Sequence, residues 1–457
     1  MYQKKYHIHF VGIGGIGMSG IAEILVRLGY TVTGSDLKAS ANTRRLEELG
    51  CKVAIGHAAE NIGDTDVVVT SSAVNGKNPE VAAAKKSGIP IIPRAEMLAE
   101  LMRLKYSIAV AGAHGKTSTT SITAAILEKG GFDPTVVIGG VLKSKGTNAM
   151  HGLGDFIIAE ADESDGSFLK FSPSIAIITN IDREHLDHYG SLAAIKKAFV
   201  QFTERVPFYG LSILCMDNES VQEILPELTG RYTTYGLNTR ADYQARGISF
   251  EGSRSTFSVY HHDELLGEIT LNLPGVHNVS NCLAGIAAAR EIGIDFPMIK
   301  CALENIEGVK RRLEKKGEKN GVMVVDDYGH HPTEIKTTLL AVRESWPEKR
   351  IVAVFQPHRY TRTRDLFDEF TRAFYNTDTL KILPIYAASE EPIDGVDSRS
   401  LGEMIEKRGH EDVGCCNSFD EVLDNLEETL EEGDILLTLG AGDVLKVGEM
   451  YLQQEEA

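Results

Sequence analysis

The chain has no apolar run near the ~18 residues needed to cross a membrane, so no membrane-spanning segment is expected. Its start, "MYQKKYHIHFVGIGG", lacks the apolar core and small-residue cleavage site of a signal peptide. The six cysteines form no C-x-x-C pair, and the adjacent Cys415 and Cys416 make a poor disulfide and an incomplete metal site. Reduced thiols in a cytoplasmic protein are therefore expected. Net charge is −18 without a long block of one sign, which argues against a protein that coats nucleic acid. Any cations that hold anionic ligands must then be gathered in clefts. There is no G-x-S-x-G elbow for a serine hydrolase, and the kinase H-R-D and D-F-G signatures are missing. No internal repeat or low-complexity tract is visible.

What is present is an ordinary globular composition, 42% hydrophobic and 25% charged. At 457 residues the chain is too long for one core and suggests about three domains of ~150 residues. Short β-like runs alternate with helical ones over the first hundred residues, as in "HIHFVG", "MSGIAEILVRLG" and "YTVTGSD". That alternation marks a parallel sheet with crossover helices. A second α/β unit opens at "YSIAVAGAHGKT", with a helix from Lys116 to about Lys129 stopped by Gly130-Gly131. Between about Arg231 and Leu273 the pattern turns to polar–apolar alternation, which reads as a small antiparallel β insert. A third α/β unit follows near Lys315, with the polar "EKKGEKNG" as the linker before it. The expected organisation is α/β: a Rossmann-like domain over residues 1–105, a central P-loop-type domain with the insert over 106–314, and a second Rossmann-like domain over 315–457.

Two glycine loops stand out. "HFVGIGGIGMSGIA" carries G-x-G-x-x-G at Gly12, Gly14 and Gly17. Such a loop offers N–H donors to any pyrophosphate, and with Asp36 at the usual distance it permits a dehydrogenase reading. "GAHGKTST" follows a buried run and opens a helix, where a phosphate loop belongs. There Lys116 would reach the β/γ-phosphates of ATP and the Thr117 hydroxyl would join a Mg²⁺ shell. The usual G-x-x-x-x-G-K-[ST] spacing is not met, because position 110 is Val and the loop is the shorter G-x-x-G-K-T. Hard oxygen ligands for Mg²⁺ are offered where one following strand ends, by Glu160, Asp162, Glu163 and Asp165 in "IIAEADESD", and the next strand candidate, "AIITNIDREHLDHY", ends in a second polar cluster of Asn180, Asp182, His185 and His188. Adjacent His261 and His262 fall near a turn of the insert and are expected to be exposed.

Together, "FVGIGGIGMSGIA", "GAHGKTSTT", "AEADESDGSF", "TNIDREHLDHY", "LPGVHNVSN", "GVKRRLE", "DDYGHHPTEI" and "FQPHRYTRTRDL" run in the order seen in the Mur ligases, a resemblance covering essentially the whole chain. The resemblance implies that the first loop cradles the diphosphate of a UDP-sugar, through Gly14, Gly15, Ile16, Gly17, Asp36 and Ser71. ATP would lie on Gly112, Ala113, His114, Gly115, Lys116, Thr117 and Ser118, with Asn278, Arg312, Asp327, Tyr328 and His330 completing its site. Mg²⁺ would be held by Thr117 and Glu160, and a second ion by His185. Lys116, Glu160, His185 and Arg312 would be the catalytic set, while Arg359 and Arg362 would hold anionic groups of the amino acid and sugar nucleotide. The activity implied is ATP-dependent joining of L-alanine to the lactyl carboxylate of UDP-N-acetylmuramate in peptidoglycan precursor synthesis. The protein would be cytoplasmic, a monomer or weak homodimer, with its domains closing over the substrates. Several relatives carry a carbamylated lysine about fifteen residues after the metal histidine; here Val200 stands near that place, with lysines only at 196 and 197. A branch that adds an intact tripeptide shares most motifs and stays open, as do a nicotinamide-dependent dehydrogenase and a non-catalytic nucleotide sensor.

Overall fold

The computed structural model describes residues 5–71, 74–143 and 145–454. Three sheets carry the architecture. The first joins β1 (His7–Val11), β2 (Thr31–Asp36), β3 (Lys52–Ile55), β4 (Val67–Thr70) and β5 (Ile91–Pro93) in the order β3-β2-β1-β4-β5, all parallel. The order reverses on either side of β1, which places a crevice at the carboxyl ends of β1 and β4. The helix Ile16–Arg27 starts there, and Gly29 at φ +84° turns the chain out of it.

The second sheet has ten strands: β6 (Tyr106–Ala111), β7 (Thr135–Leu142), β8 (Thr147–Met150), β9 (Phe156–Glu160), β10 (Ile175–Ile178), β11 (Leu211–Cys215), β12 (Tyr232–Gly236), β13 (Tyr243–Glu251), β14 (Arg254–His261) and β15 (Glu264–Leu271). Their order is β15-β14-β13-β12-β11-β10-β6-β9-β7-β8. At its centre β6, β9 and β10 are apolar and almost wholly buried, as strands covered on both faces must be. The expected helix is present as Lys116–Lys129, capped at Gly130.

The β insert is not antiparallel throughout, as the alternating pattern suggested. β12 runs parallel to β11, and β13 parallel to β12, so the alternating strands extend the central sheet. The alternation itself is real, since one face of the outer strands is open to water. His262 and Asp263, at φ +47° and +67°, form the two-residue turn between β14 and β15. His262 is exposed there, whereas His261 stacks on Tyr243 at 4.3 Å.

The third sheet joins β16 (Glu314–Lys319), β17 (Val322–Asp327), β18 (Ile351–Phe355), β19 (Thr379–Ile382), β20 (Val413–Cys415) and β21 (Ile435–Leu439) in the order β16-β17-β21-β18-β19-β20. The expected linker "EKKGEKNG" is in fact its edge strand, paired antiparallel to β17. Asn320 and Gly321, at φ +50° and +73°, make the tight turn. The lysine-rich strand read as linker because an edge strand can be charged, and lysine there discourages pairing with another chain.

The chain divides into two compact units. One comprises Met1–Arg246, Ser258–Ile269 and Ser280–Ile306; the other comprises Gly247–Phe257, Thr270–Val279 and Glu307–Ala457. The first unit contains the first sheet and most of the second around one large apolar cluster. Gly20, on the helix after the first glycine loop, packs on β8 so closely that a Cβ would lie 2.9 Å from that of Ala149. In the second unit, two apolar layers cover the two faces of the third sheet. All six cysteines are unpaired. Among the described residues no helix is long and apolar enough to cross a membrane.

Candidate active site

Within the first unit a cleft of about 380 Å³ brings the two glycine loops together. Gly15, Ile16, Gly17 and Ser71 line one side; Lys116, Glu160 and Asp162 line the other, with Arg94 also in the wall. In the sequence these residues are scattered over the two glycine loops and the ends of three other strands. The fold makes them one site.

The first loop is held from behind. The amides of Gly12 and Ile13 donate to Ser35 O at 2.8 and 2.9 Å, and Gly14 N donates to Asp36 Oδ2 at 2.8 Å. Asp36 is thus placed as a brace for the loop and is not among the cleft-lining residues. Gly15 precedes the helix, so Ile16 and Gly17 stand in its first turn, where amides lack intrahelical acceptors. A Cβ on Gly17 would lie 2.7 Å from Arg94 Nη1, which is how closely that guanidinium is packed against the loop.

The second loop is strapped to the end of β10. Asn180 Oδ1 accepts from His114 N at 2.8 Å, Asn180 O accepts from Ala113 N at 3.3 Å, and Thr179 Oγ1 donates to His114 O at 2.6 Å. His114 Nε2 lies 3.1 Å from Asp182. Gly112 (φ +130°) and Gly115 (φ +81°) occupy backbone conformations that glycine alone adopts easily. Lys116 begins the helix, followed by Thr117 and Ser118, which are half-buried in its first turn. Its ammonium group donates to Gly112 O at 2.6 Å and Ala113 O at 3.1 Å, and meets both Glu163 oxygens at 3.0 Å. Burial alone would lower its pKa, but Glu163 and then Asp162 outweigh this and hold it above the ordinary lysine value. A charged lysine is therefore kept at the loop.

Glu160, at the end of β9, accepts from Gly139 N at 2.8 Å. Glu163, Glu184 and His185 place one ligand atom each within 4.8 Å of one another. Two carboxylates and an imidazole are a donor set that fits a divalent cation. His185 sits at φ +55°, heading the short helix Leu186–Tyr189, whose Tyr189 hydroxyl donates to Glu163 O at 2.6 Å. Val200 is buried in the helix Leu192–Thr203, Lys196 pairs with Glu223 and Lys197 is exposed.

In the second unit, Tyr328 has Arg311 and Arg312 guanidinium carbons at 4.9 and 5.4 Å from its ring centre. Arg312 Nη1 is 3.7 Å from Glu334, and Glu334 also accepts from His330 N at 3.0 Å. His330 meets the ring of His358 edge-on at 5.9 Å, and His358 Nδ1 lies 3.2 Å from Arg362. Thus Arg312, Tyr328, His330 and Arg362 form one cluster. Arg359 is exposed at φ +70°, its amide donating to Tyr386 O at 2.8 Å. Asp327 is buried beneath the cluster and accepts from Leu313 N and Gly329 N, each at 2.8 Å, and from Thr338. Asn278 donates to Pro274 O at 2.8 Å.

Sequence reasoning missed Arg94, Glu184, Glu334 and His358. Arg94 had a signal, since it directly follows β5 and ligands gather at the carboxyl ends of such strands. Glu334 had one too, three residues into a helix that begins with Pro332, where it caps His331.

Models of the Mur ligase family match consecutively: the catalytic domain over residues 7–106, the middle domain over 110–289 and the glutamate ligase domain over 311–442. The chain is 64% identical over 453 residues to the UDP-N-acetylmuramate–L-alanine ligase of Desulforapulum autotrophicum, covering 99% of each. It is 61% identical over 456 residues to that of Desulfosudis oleivorans, covering 100% of each. Among solved structures, the UDP-N-acetylmuramate-alanine ligase of Thermotoga maritima aligns with a TM-score of 0.83 at 30% identity, over 98% of both chains. A murein peptide ligase from Psychrobacter arcticus aligns at 0.70 and 26%, again over 98% of both. On its three successive α/β domains and these full-length likenesses, the chain belongs to the Mur ligase family.

Proposed function

We propose that the protein joins L-alanine to the lactyl carboxylate of UDP-N-acetylmuramate, splitting ATP to ADP and phosphate, as a step of peptidoglycan precursor synthesis. Relatives carrying that name match it from end to end at above 60% identity. The observation that carries the reading is the shared cleft, in which Gly15 and Gly17 of one phosphate-type loop face Lys116 of the other. A dehydrogenase needs no such second loop, and a sensor needs no acid cluster beside it.

A carboxylate resists attack by an amine because attack would add charge to an anion. Phosphorylation by ATP makes it an acyl phosphate, and the amine then forms a tetrahedral intermediate that expels phosphate. Two anions must meet for the first step, so fixed positive charge has to be waiting. Lys116, kept protonated by Glu163 and Asp162, supplies it in the cleft. Arg94 gives a second cation on the sugar-nucleotide side. Thr117 and Glu160, and the set Glu163, Glu184 and His185, are the residues that would hold Mg²⁺ ions. Bound there, the ions would supply charge neutralisation for the phosphates. Arg312 is assigned to the γ-phosphate, Asn278, Asp327, Tyr328 and His330 to the nucleoside, and Arg359 and Arg362 to substrate carboxylate. The corresponding domain limits are 1–105, 106–314 and 315–457, and the protein is assigned to the cytoplasm.

The test is ADP release by the purified protein with Mg-ATP and UDP-N-acetylmuramate, with L-alanine and the tripeptide compared in parallel. Turnover that depends on L-alanine supports the reading. Turnover with tripeptide alone moves the protein to the recycling branch, and silence with both refutes the ligase.

A further inference from the structure

Beneath the sugar-nucleotide loop lies a buried carboxylate that the reaction does not use. Glu80, on the helix Pro79–Lys86, is completely buried and takes hydrogen bonds from two other segments, one around Ser35 and one around Ala58–Asn61. Ser35 Oγ donates to its Oε2 at 2.6 Å, while Asn61 Nδ2 and Ala58 N donate to its Oε1 at 2.5 and 3.3 Å. His57 Nδ1 and His9 Nε2 face Oε2 at 3.5 and 3.6 Å.

Each of those segments leads to the loop. Ser35 O accepts the amides of Gly12 and Ile13, and the next residue, Asp36, takes the amide of Gly14. Gly56 N, two residues before Ala58, donates to Asp36 O at 2.8 Å, and Asn61 also donates to Gly56 O at 3.1 Å. Three consecutive loop amides therefore rest on Ser35 and Asp36, and both are tied to Glu80. Its own helix is capped by Asn78, which follows the cleft-lining Ser71 by seven residues. Burying a carboxylate is unfavourable, and an apolar side chain would pack this site at less cost to folding. What a fully bonded buried carboxylate provides is a fixed set of distances.

We propose that Glu80 is a positioning residue for the sugar-nucleotide loop, setting the places of Gly12, Ile13 and Gly14 through Ser35 and Asp36. The proposal rests on the reading that this loop holds the UDP-sugar. The loop contacts the diphosphate with backbone groups, which no side-chain rotamer can correct, so their placement must come from the residues behind them.

The experiment compares wild type with Glu80→Gln, which keeps the size but removes the charge and turns one of the two accepting oxygens into a donor, and with Ser35→Ala. Each variant should raise the KM for UDP-N-acetylmuramate about tenfold, the scale seen when outer-shell partners of an ion site are removed. The KM for ATP and kcat at saturation should stay within about twofold. The double variant should be no worse than the poorer single one, since both act through one network. Hydrogen exchange at Gly12–Gly14 without ligands should be faster in both variants. Unchanged exchange and KM overturn the proposal, and so does an equal loss in both KM values and kcat with a lowered melting temperature, which is what a packing role gives. Wild type that binds no UDP-N-acetylmuramate refutes the functional reading instead, and exchange at Gly12–Gly14 still decides whether Glu80 positions the loop.

Discussion

Lys116 Nζ stands 3.0 Å from each carboxylate oxygen of Glu163, so the cation proposed for ATP also neutralises a carboxylate that is only 3% exposed. Removing the lysine should then do two separable kinds of damage. Lys116→Met should abolish ADP release and also destabilise the fold by about 3–5 kcal/mol, because Glu163 loses its main partner. Adding Glu163→Gln should restore most of the urea midpoint and none of the activity. A double variant as unstable as the single one would show that Glu163 is not held by this pair.

The Glu163, Glu184 and His185 set makes a prediction about metal. Glu184 shares no motif with the ATP loop, yet its ligand atom is within 4.8 Å of the other two. Glu184→Gln should raise the Mg²⁺ concentration for half-maximal activity about tenfold. Saturating Mg²⁺ should recover most of the rate. A variant whose Mg²⁺ titration overlays that of wild type would remove Glu184 from the metal site.

Much of this was legible in the sequence because local chemistry and fold agree there. Both glycine loops, the helix Lys116–Lys129 and the buried strands β6, β9, β10, β17, β18 and β21 follow from apolar runs that end in loop residues. The misread parts are those where tertiary context decides. β16 is charged, and only its Asn320-Gly321 turn announced a strand. The insert has the alternation of antiparallel strands, and nothing local says that β12 will pair parallel to β11. In the site, no spacing rule links Gly17 to Arg94, or Glu80 to Ser35, since each pair meets only through the sheet.

Two glycines should behave differently when given a methyl group. A Cβ on Gly112 would lie 2.2 Å from Thr179 Oγ1 and 2.8 Å from Asn180 O, at φ +130°. Backbone strain of about 1–3 kcal/mol adds to that clash, so Gly112→Ala should lower thermal stability and abolish ATP binding. Gly17 has no positive φ, and the three atoms nearest to an added Cβ all belong to the Arg94 side chain, which can move. Gly17→Ala should therefore keep the melting temperature and ATP affinity while weakening UDP-N-acetylmuramate. Calorimetric titration with each nucleotide separates the two, and equal effects on both ligands would contradict the division of labour between the loops.

Burial first, then neighbouring charges, push His330 and His358 down to about 4 from an ordinary 6.5; Arg362 acts on both. Glu334 opposes this at His330, and Glu390 opposes it at His358. Both rings are thus neutral in the folded chain at pH values where unfolded imidazoles already bind protons. Between about pH 6.5 and 4 the unfolded state binds more protons, so stability must fall as the pH falls through that window. The contribution is intact above 6.5 and fully lost below about 4. Replacing both with glutamine removes the two titrations, so the loss in urea midpoint from pH 7 to pH 5 should be smaller than in wild type. Parallel losses in the two proteins would mean that these histidines are not held neutral.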